Sequence, residues 1–272
     1  MKVSIYSLSA PDRTPEQVVE LAKKYGCDGI EWWCREKGHI DTGDLESSAK
    51  RIVQAMRDSG LEVAGMAPYF KFSETEEEIK RIFGAARIIG ARNIRCHSYG
   101  FTGETPVAEL MRKQRFWLAE TVLPVVERFG VRVVIEQHHQ QICCTPNACR
   151  QLVEGLPVEM VGVIWNPGNS LFEGYTRPEY ALSVLGEYLA HVHIKSAKPV
   201  SEGEGIPAGR KYPMFWGKLA DGDLDWDGII TALYKVGYQG FLSLEDLDQR
   251  PSETKIIEDI PYLRSIIRKY SG

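Results

Sequence analysis

The feature that most constrains this chain is a repeated alternation. Eight short runs rich in Val and Ile recur along its 272 residues, at 3–7, 29–33, 61–66, 93–97, 131–136, 161–165, 190–194 and 241–245. Each is followed by a longer stretch whose apolar residues return every three to four positions, the period of a helix. Helix punctuation supports the division. Thr14-Pro15 with Gln17 reads as a start and Gly26 as a stop. Acidic residues 74 and 76–78 suit the positive end of a helix. Further helices are expected up to Gly60, through Phe129, after Thr145-Pro146, near 178–188, up to Gly237 and up to Tyr270. Continuous apolar strands alternating with helices imply a parallel sheet covered on its faces. Eight units of about 34 residues imply an α/β fold of one closed (β/α)8 barrel, a TIM barrel over residues 1–272. An open doubly wound sheet is the alternative, but no strand is followed by a complete GxGxxG: Gly100 and Gly103 lack the rest of it.

Composition excludes several classes. A 43% apolar fraction can fill a core and argues against general disorder. The net charge of −4 argues against a nucleic-acid scaffold and leaves a small anionic substrate open. No run approaches the ~18 apolar residues of a membrane helix, and residues 1–7 lack the pattern of a signal peptide. The six cysteines form no CxxC pair, so they are read as reduced and the protein as cytoplasmic.

In such a barrel the functional face lies at the carboxyl ends of the strands. Chemically useful groups fall there: His97 after run four, Glu136 to His139 after run five, Asn166 to Asn169 after run six, His193 and Lys195 in run seven, and Glu245 in run eight. Residues two apart share a face of a strand, so His191, His193 and Lys195 point the same way. His191 reads as a buried, hydrogen-bonded residue. Glu136, Asn166, His193 and Glu245 can converge on one point. Two carboxylates brought together repel unless a proton or cation intervenes. Carboxylate, amide oxygen and imidazole suit a divalent metal ion such as manganese, magnesium, cobalt or zinc. The competing reading pairs Glu136 and Glu245 with Arg or Lys.

These segments resemble the xylose isomerase-like TIM-barrel family of sugar and sugar-phosphate isomerases and epimerases. The resemblance rests on Gly29-Ile30-Glu31-Trp32, Val134-Ile135-Glu136-Gln137-His138, Asn166-Pro167-Gly168-Asn169, His191-Val192-His193-Ile194-Lys195, Gly222-Asp223-Leu224-Asp225-Trp226 and 237–245. It implies a metal site of Glu136, His193 and Glu245, with Asn166 where relatives have Asp, a change that removes one negative charge. Asn169 stands where relatives often have His, and Ser196 where many have Asp. The implied chemistry is proton abstraction beside a carbonyl through an enediolate, with Glu136 and Glu245 as the acid/base pair. Loss of water from the same enediolate would make a dehydratase.

His97, His138, Asn169, Lys195, Trp33 and Tyr69 are the expected substrate contacts, with Phe72 and Trp216 as further rim aromatics. His139 is read as exposed or structural. The polar segment 201–218 is read as a lid or a contact between two copies in a homodimer. Arg210, Lys211 and Lys218 either meet a substrate phosphate or are solvated. Two rivals from other classes remain. One is a hydrolase of damaged DNA, which six His and an acidic balance disfavour. The other is a barrel that binds a sugar without turning it over, which Asn166 motivates. The expected partner is a small sugar or sugar phosphate, without nucleic acid or membrane.

Overall fold

A computed structural model describes residues 1–71, 74–199 and 214–270. The strands in chain order are β1 (Lys2–Tyr6), β2 (Gly29–Arg35), β3 (Ile40–Asp41), β4 (Glu62–Phe70), β5 (Asn93–Cys96), β6 (Arg132–Glu136), β7 (Val161–Trp165), β8 (Leu189–Ile194), β9 (Ser196–Pro199), β10 (Met214–Gly217) and β11 (Phe241–Leu244). Eight of them pair in parallel in the order β1-β11-β8-β7-β6-β5-β4-β2, and β1 pairs back to β2. The sheet is therefore closed, a (β/α)8 barrel, and the open-sheet alternative is excluded. Short β3 pairs in parallel with the end of β2, and β9 and β10 form a separate antiparallel pair.

The surrounding helices are α1 (Pro15–Lys24), α2 (Leu45–Met56), α3 (Glu76–Ile89), α4 (Val107–Trp117), α5 (Leu123–Phe129), α6 (Pro146–Val153), α7 (Pro167–Glu173), α8 (Pro178–Leu185), α9 (Trp226–Lys235) and α10 (Ser252–Ile267). Thr14 and Gln17 do form a reciprocal cap on α1. The acidic helix starts at Glu76, two residues after the first acid of the cluster, because Thr75 and Glu78 make the cap of α3. Among the described residues no helix is long and apolar enough to cross a membrane. All six cysteines are free. Phe72 and most of the expected lid, including Arg210 and Lys211, lie outside the described residues.

Alternation divides the strands cleanly. Val3, Ile5, Ile30, Trp32, Ile94, Cys96, Val133, Ile135, Val163, Trp165, Val192, Ile194, Leu242 and Leu244 join the apolar core shared with the helices. Their neighbours therefore face the barrel axis, and many are polar. Ser4, Glu31, Arg95, Glu136, Asn166, His191, His193, Ser243 and Glu245 are all buried. The apolar core holds the staves from outside, and the axis is left to charge.

Candidate active site

At the mouth of the barrel these inward groups meet. The Asn166 amide nitrogen donates to Glu136 Oε1 at 2.8 Å and to Glu245 Oε2 at 3.0 Å. His193 Nδ1 lies 3.0 Å from Glu136 Oε1 and 3.5 Å from Glu245 Oε2. Its Nε2 lies 3.0 Å from Glu31, and His191 Nε2 meets the same carboxylate at 3.0 Å. Lys195 Nζ reaches Glu245 Oε2 at 3.0 Å. Arg95 on β5 forms a close ion pair with Glu136 Oε2. The expected four-residue convergence is present, and Glu31 and Arg95 complete it.

Four of these groups, Glu136, Glu245, Glu31 and His193, are held ionised by their neighbours. Burial pushes the Glu136 carboxyl up, but Arg95 and His193 outweigh it and hold it well below the usual range. Burial likewise raises Glu245, and Lys195 with His193 brings it down to about 2. Glu31 is lowered in spite of burial by His193 and His191. His193 is raised, because Glu31 and Glu245 overcome its burial and favour the imidazolium.

Two donor sets could hold a metal on distance alone. Glu136, His193 and Glu245, and also Glu31, His191 and His193, each offer one ligand atom with all three atoms within 4.8 Å of one another. The expected fourth ligand does not join them. Asn166 caps α7, and its Oδ1 accepts the backbone N–H of Asn169 at 3.2 Å. A backbone N–H can only donate, so the amide nitrogen faces the carboxylates and Asn166 is a donor here rather than a ligand. Gly168 lets this turn approach β8, since a Cβ there would stand 2.5 Å from the Lys195 carbonyl.

Asn169 also departs from its expected role as a substrate contact. It is fully buried, donates to the Gln137 carbonyl at 2.9 Å and receives His139 Nδ1 at 2.9 Å. Its polar atoms are spent on holding the loops after β6 and β7 together. His139, read as structural, has that role.

The other expected contacts form an aromatic wall. Ring centroids run from Tyr69 to His97 at 4.6 Å, to His138 at 5.7 Å, to His139 at 4.4 Å, to Phe172 at 4.3 Å and to Trp216 at 5.1 Å. Lys195 Nζ lies 4.3 Å from the Trp216 ring and closes the arc. Trp33 stands outside it, edge-on to His39 at 5.8 Å. Lys218 lies 3.6 Å from Glu258, away from this wall.

His97 has a fixed tautomer. Gln141 Oε1 accepts the Ser98 N–H at 3.1 Å, so the Gln141 amide nitrogen faces His97 Nδ1 at 3.2 Å. Nδ1 is therefore the acceptor and Nε2 carries the hydrogen. Burial and the nearby Arg95 lower its pKa to about 2, which keeps the ring neutral. Among the described residues its Nε2 has no partner. His138 is neutral for the same first reason, lowered to about 4 by burial. Its Nδ1 is used on the His139 carbonyl at 2.8 Å.

A family model described as "Xylose isomerase-like TIM barrel" matches residues 19–266. The chain belongs to that family. No curated protein matches it in sequence. Among solved structures it is similar to 3-keto-D-glucoside 4-epimerase YcjR from E. coli, with 18% identity over 97% of this chain and 99% of that one and a TM-score of 0.74. It is also similar to the IOLI protein with a bound zinc atom, with 16% identity over 99% of each chain and a TM-score of 0.77. The probable 3-DHS dehydratase AsbF from Bacillus anthracis shares 16% identity over 97% of this chain and 99% of that one, with a TM-score of 0.75. At these identities the likeness is one of fold.

Proposed function

We propose that this xylose isomerase-like barrel is a sugar isomerase or epimerase that removes a proton beside a carbonyl and passes through an enediolate. The observation that carries the reading is the convergence of Glu136 and Glu245 on one amide nitrogen, at 2.8 and 3.0 Å. Two ionised carboxylates held side by side by one amide can each exchange a proton with a substrate carbon beside them. One removes it, and the other group returns it to the neighbouring carbon or the opposite face. Asn166 donates to both and holds them in register. Lys195, His97 Nε2–H and His138 Nε2 are placed to bind substrate oxygens. Tyr69, His97, His138 and Trp216 line the wall and keep water from the enediolate.

A divalent ion in such a site would polarise the carbonyl and the adjacent hydroxyl. The distances among Glu136, His193 and Glu245 permit one, but the charges do not suit it. Glu136 is matched by Arg95 and Glu245 by Lys195. The fourth donor presents an N–H. The residues of this set therefore do not fit a resident divalent cation, and no step here is routed through one.

The test is incubation of the purified protein in D₂O with a panel of ketoses, aldoses, inososes and their phosphates. Deuterium uptake at a carbon alpha to the carbonyl is expected. A protein that binds a sugar of the panel without labelling it would be a binding barrel. The neighbour described as a probable dehydratase supports a second reading, loss of water from the same enediolate, and product analysis of the labelled mixture separates the two.

A further inference from the structure

We propose that Arg95 is a catalytic residue of this centre, its guanidinium taking the place of a divalent cation as the electrophile that receives the substrate oxygen. This rests on the enolisation reading for its chemistry, but its charge argument stands alone.

Arg95 is committed to the barrel axis by its strand. Ile94 and Cys96 on either side of it pack into the outer apolar core, so Arg95 faces inward whatever its rotamer. It is 1% exposed. A buried guanidinium cannot shed its proton, so this positive charge is permanent. It lies against Glu136 Oε2, with its Cζ 4.2 Å from the centre of the Tyr69 ring. The Glu136 contact is a close charge pair without hydrogen-bond alignment. Among the described residues, Arg95 Nε and Nη1 have no acceptor at all. Buried N–H groups are seldom left unmatched, and a substrate oxygen supplies what these lack. His97 stands two residues on, its ring against the same Tyr69 ring and its own Nε2 unpartnered among the described residues.

The donor set argues the same way. Glu136 and Glu245, the two anionic groups of the candidate metal set, each already face a cation of the chain. A divalent ion placed between them would be held near Arg95 and Lys195 in a water-poor site, where like charges repel strongly. It would also face the Asn166 N–H instead of a lone pair.

The step balances without it. The C–H bond beside the carbonyl breaks and its proton goes to Glu245 or Glu136. The electron pair of that bond forms the C=C bond, and the carbonyl π pair moves onto oxygen. Arg95 Nη1–H meets that oxygen as it becomes negative. Return of the proton reverses the electron flow, and nothing is oxidised or reduced overall.

The test has a binding arm and an exchange arm. In the first, Mn²⁺ and Zn²⁺ are titrated into wild type, Arg95→Met, and the Arg95→Met/Asn166→Asp double variant, with metal content measured on each as purified. Wild type is expected to hold no stoichiometric metal and to bind weakly. The double variant, which restores a net negative donor set, should bind at least ~100-fold more tightly. Stoichiometric metal in the wild type, or micromolar Mn²⁺ binding unchanged by the variants, would overturn the proposal even if no substrate is found. In the second arm, deuterium exchange should survive chelation in wild type. It should fall by roughly 10²-fold or more in Arg95→Met, mostly in kcat, and recover in part in Arg95→Lys, which keeps the charge and loses the fork. Exchange abolished by chelator and restored by Mn²⁺ sinks the idea. Absence of exchange on every sugar defeats the enolisation reading and leaves the binding arm to decide this one. If Arg95→Met fails to fold, metal content and exchange under chelator in the wild type decide the proposal, with Arg95→Lys as the folded variant in both arms.

Discussion

Glu245 and Asp246 are consecutive, equally buried carboxylates, and they live in opposite electrostatic company. Glu245 faces the axis, where Lys195 and His193 bring it down to about 2 in spite of burial. Asp246 faces the rim. There it joins Asp248, Glu258 and Asp259 around Arg250, which reaches Asp246 at 2.6 Å and Asp259 at 3.0 Å. Burial, the shared hydrogen bond to Asp259 and the charge of Asp248 push the Asp246 carboxyl up to about 7. Burial alone therefore does not decide ionisation. What decides it is whether each anion has a cation of its own. The axis matches carboxylates with cations and keeps them ready for chemistry. The rim has a surplus of acid and keeps a proton. The rim cluster also has a mechanical use: Asp259 accepts the Leu219 N–H at 2.9 Å, which ties the start of the segment after β10 to α10.

The largest expected contrast is in turnover. Glu245→Gln removes one of the two proton-transfer groups and should lower deuterium exchange by about 10²–10⁴-fold. Asp246→Asn, one residue away, should leave exchange near wild type. Equal losses would mean that both positions act only through the fold, and the division drawn above would fail.

Stability gives the next contrast. Glu136→Ala leaves Arg95 sealed inside the barrel without a counter-charge and should cost about 3–5 kcal/mol in chemical denaturation. A cost near that of an ordinary surface substitution would mean that Arg95 can leave the axis, which would break the charge argument at its source.

Much of this was legible in the sequence, for reasons that differ by level. The eight staves were readable because Val- and Ile-rich runs such as Val161–Trp165 carry both strand propensity and burial. α7 was missed because Pro167-Gly168 reads as a turn, although proline suits a first helical turn and Asn166 is a good cap. The β9–β10 pair was hidden because each strand has only four residues and a polar stretch separates them. At the site, strand-end position was enough to bring Glu136, Asn166, His193 and Glu245 together. Arg95 belongs to no motif, so its role is legible only from its place on the strand. The signal was there: an arginine between two apolar strand residues, in step with His97, must face the axis. The roles of Asn166 and Asn169 were not readable, because an amide acts as donor or acceptor according to which backbone groups reach it, and that is set only in three dimensions.

The rim proton predicts a pH dependence with a definite sign. Asp246 has a folded value of about 7 against an ordinary 3.8. The folded state therefore holds the proton more tightly, and this contribution is complete below about pH 4 and lost as pH rises through 7. The difference in melting temperature between wild type and Asp246→Asn should shift by on the order of 5 °C between pH 5 and pH 8, the wild type losing more. A parallel pair of curves would place the proton elsewhere in the cluster.

The smallest effect calibrates the others. Arg51 and Glu16 make two hydrogen bonds of 2.9 Å on the outside of the barrel, with about half of each side chain exposed. Their geometry is better than that of Arg95 with Glu136, yet water competes for both charges and salt screens them. Arg51→Ala should cost less than about 1 kcal/mol, and less again in 0.5 M salt. Glu136→Ala should keep its cost in the same salt, because ions cannot reach the axis. If the two substitutions prove equally costly and equally salt-sensitive, then water reaches Arg95 and Glu136. A hydrated guanidinium has no unmet donors to offer a substrate oxygen, and the electrophile would have to be sought in another group.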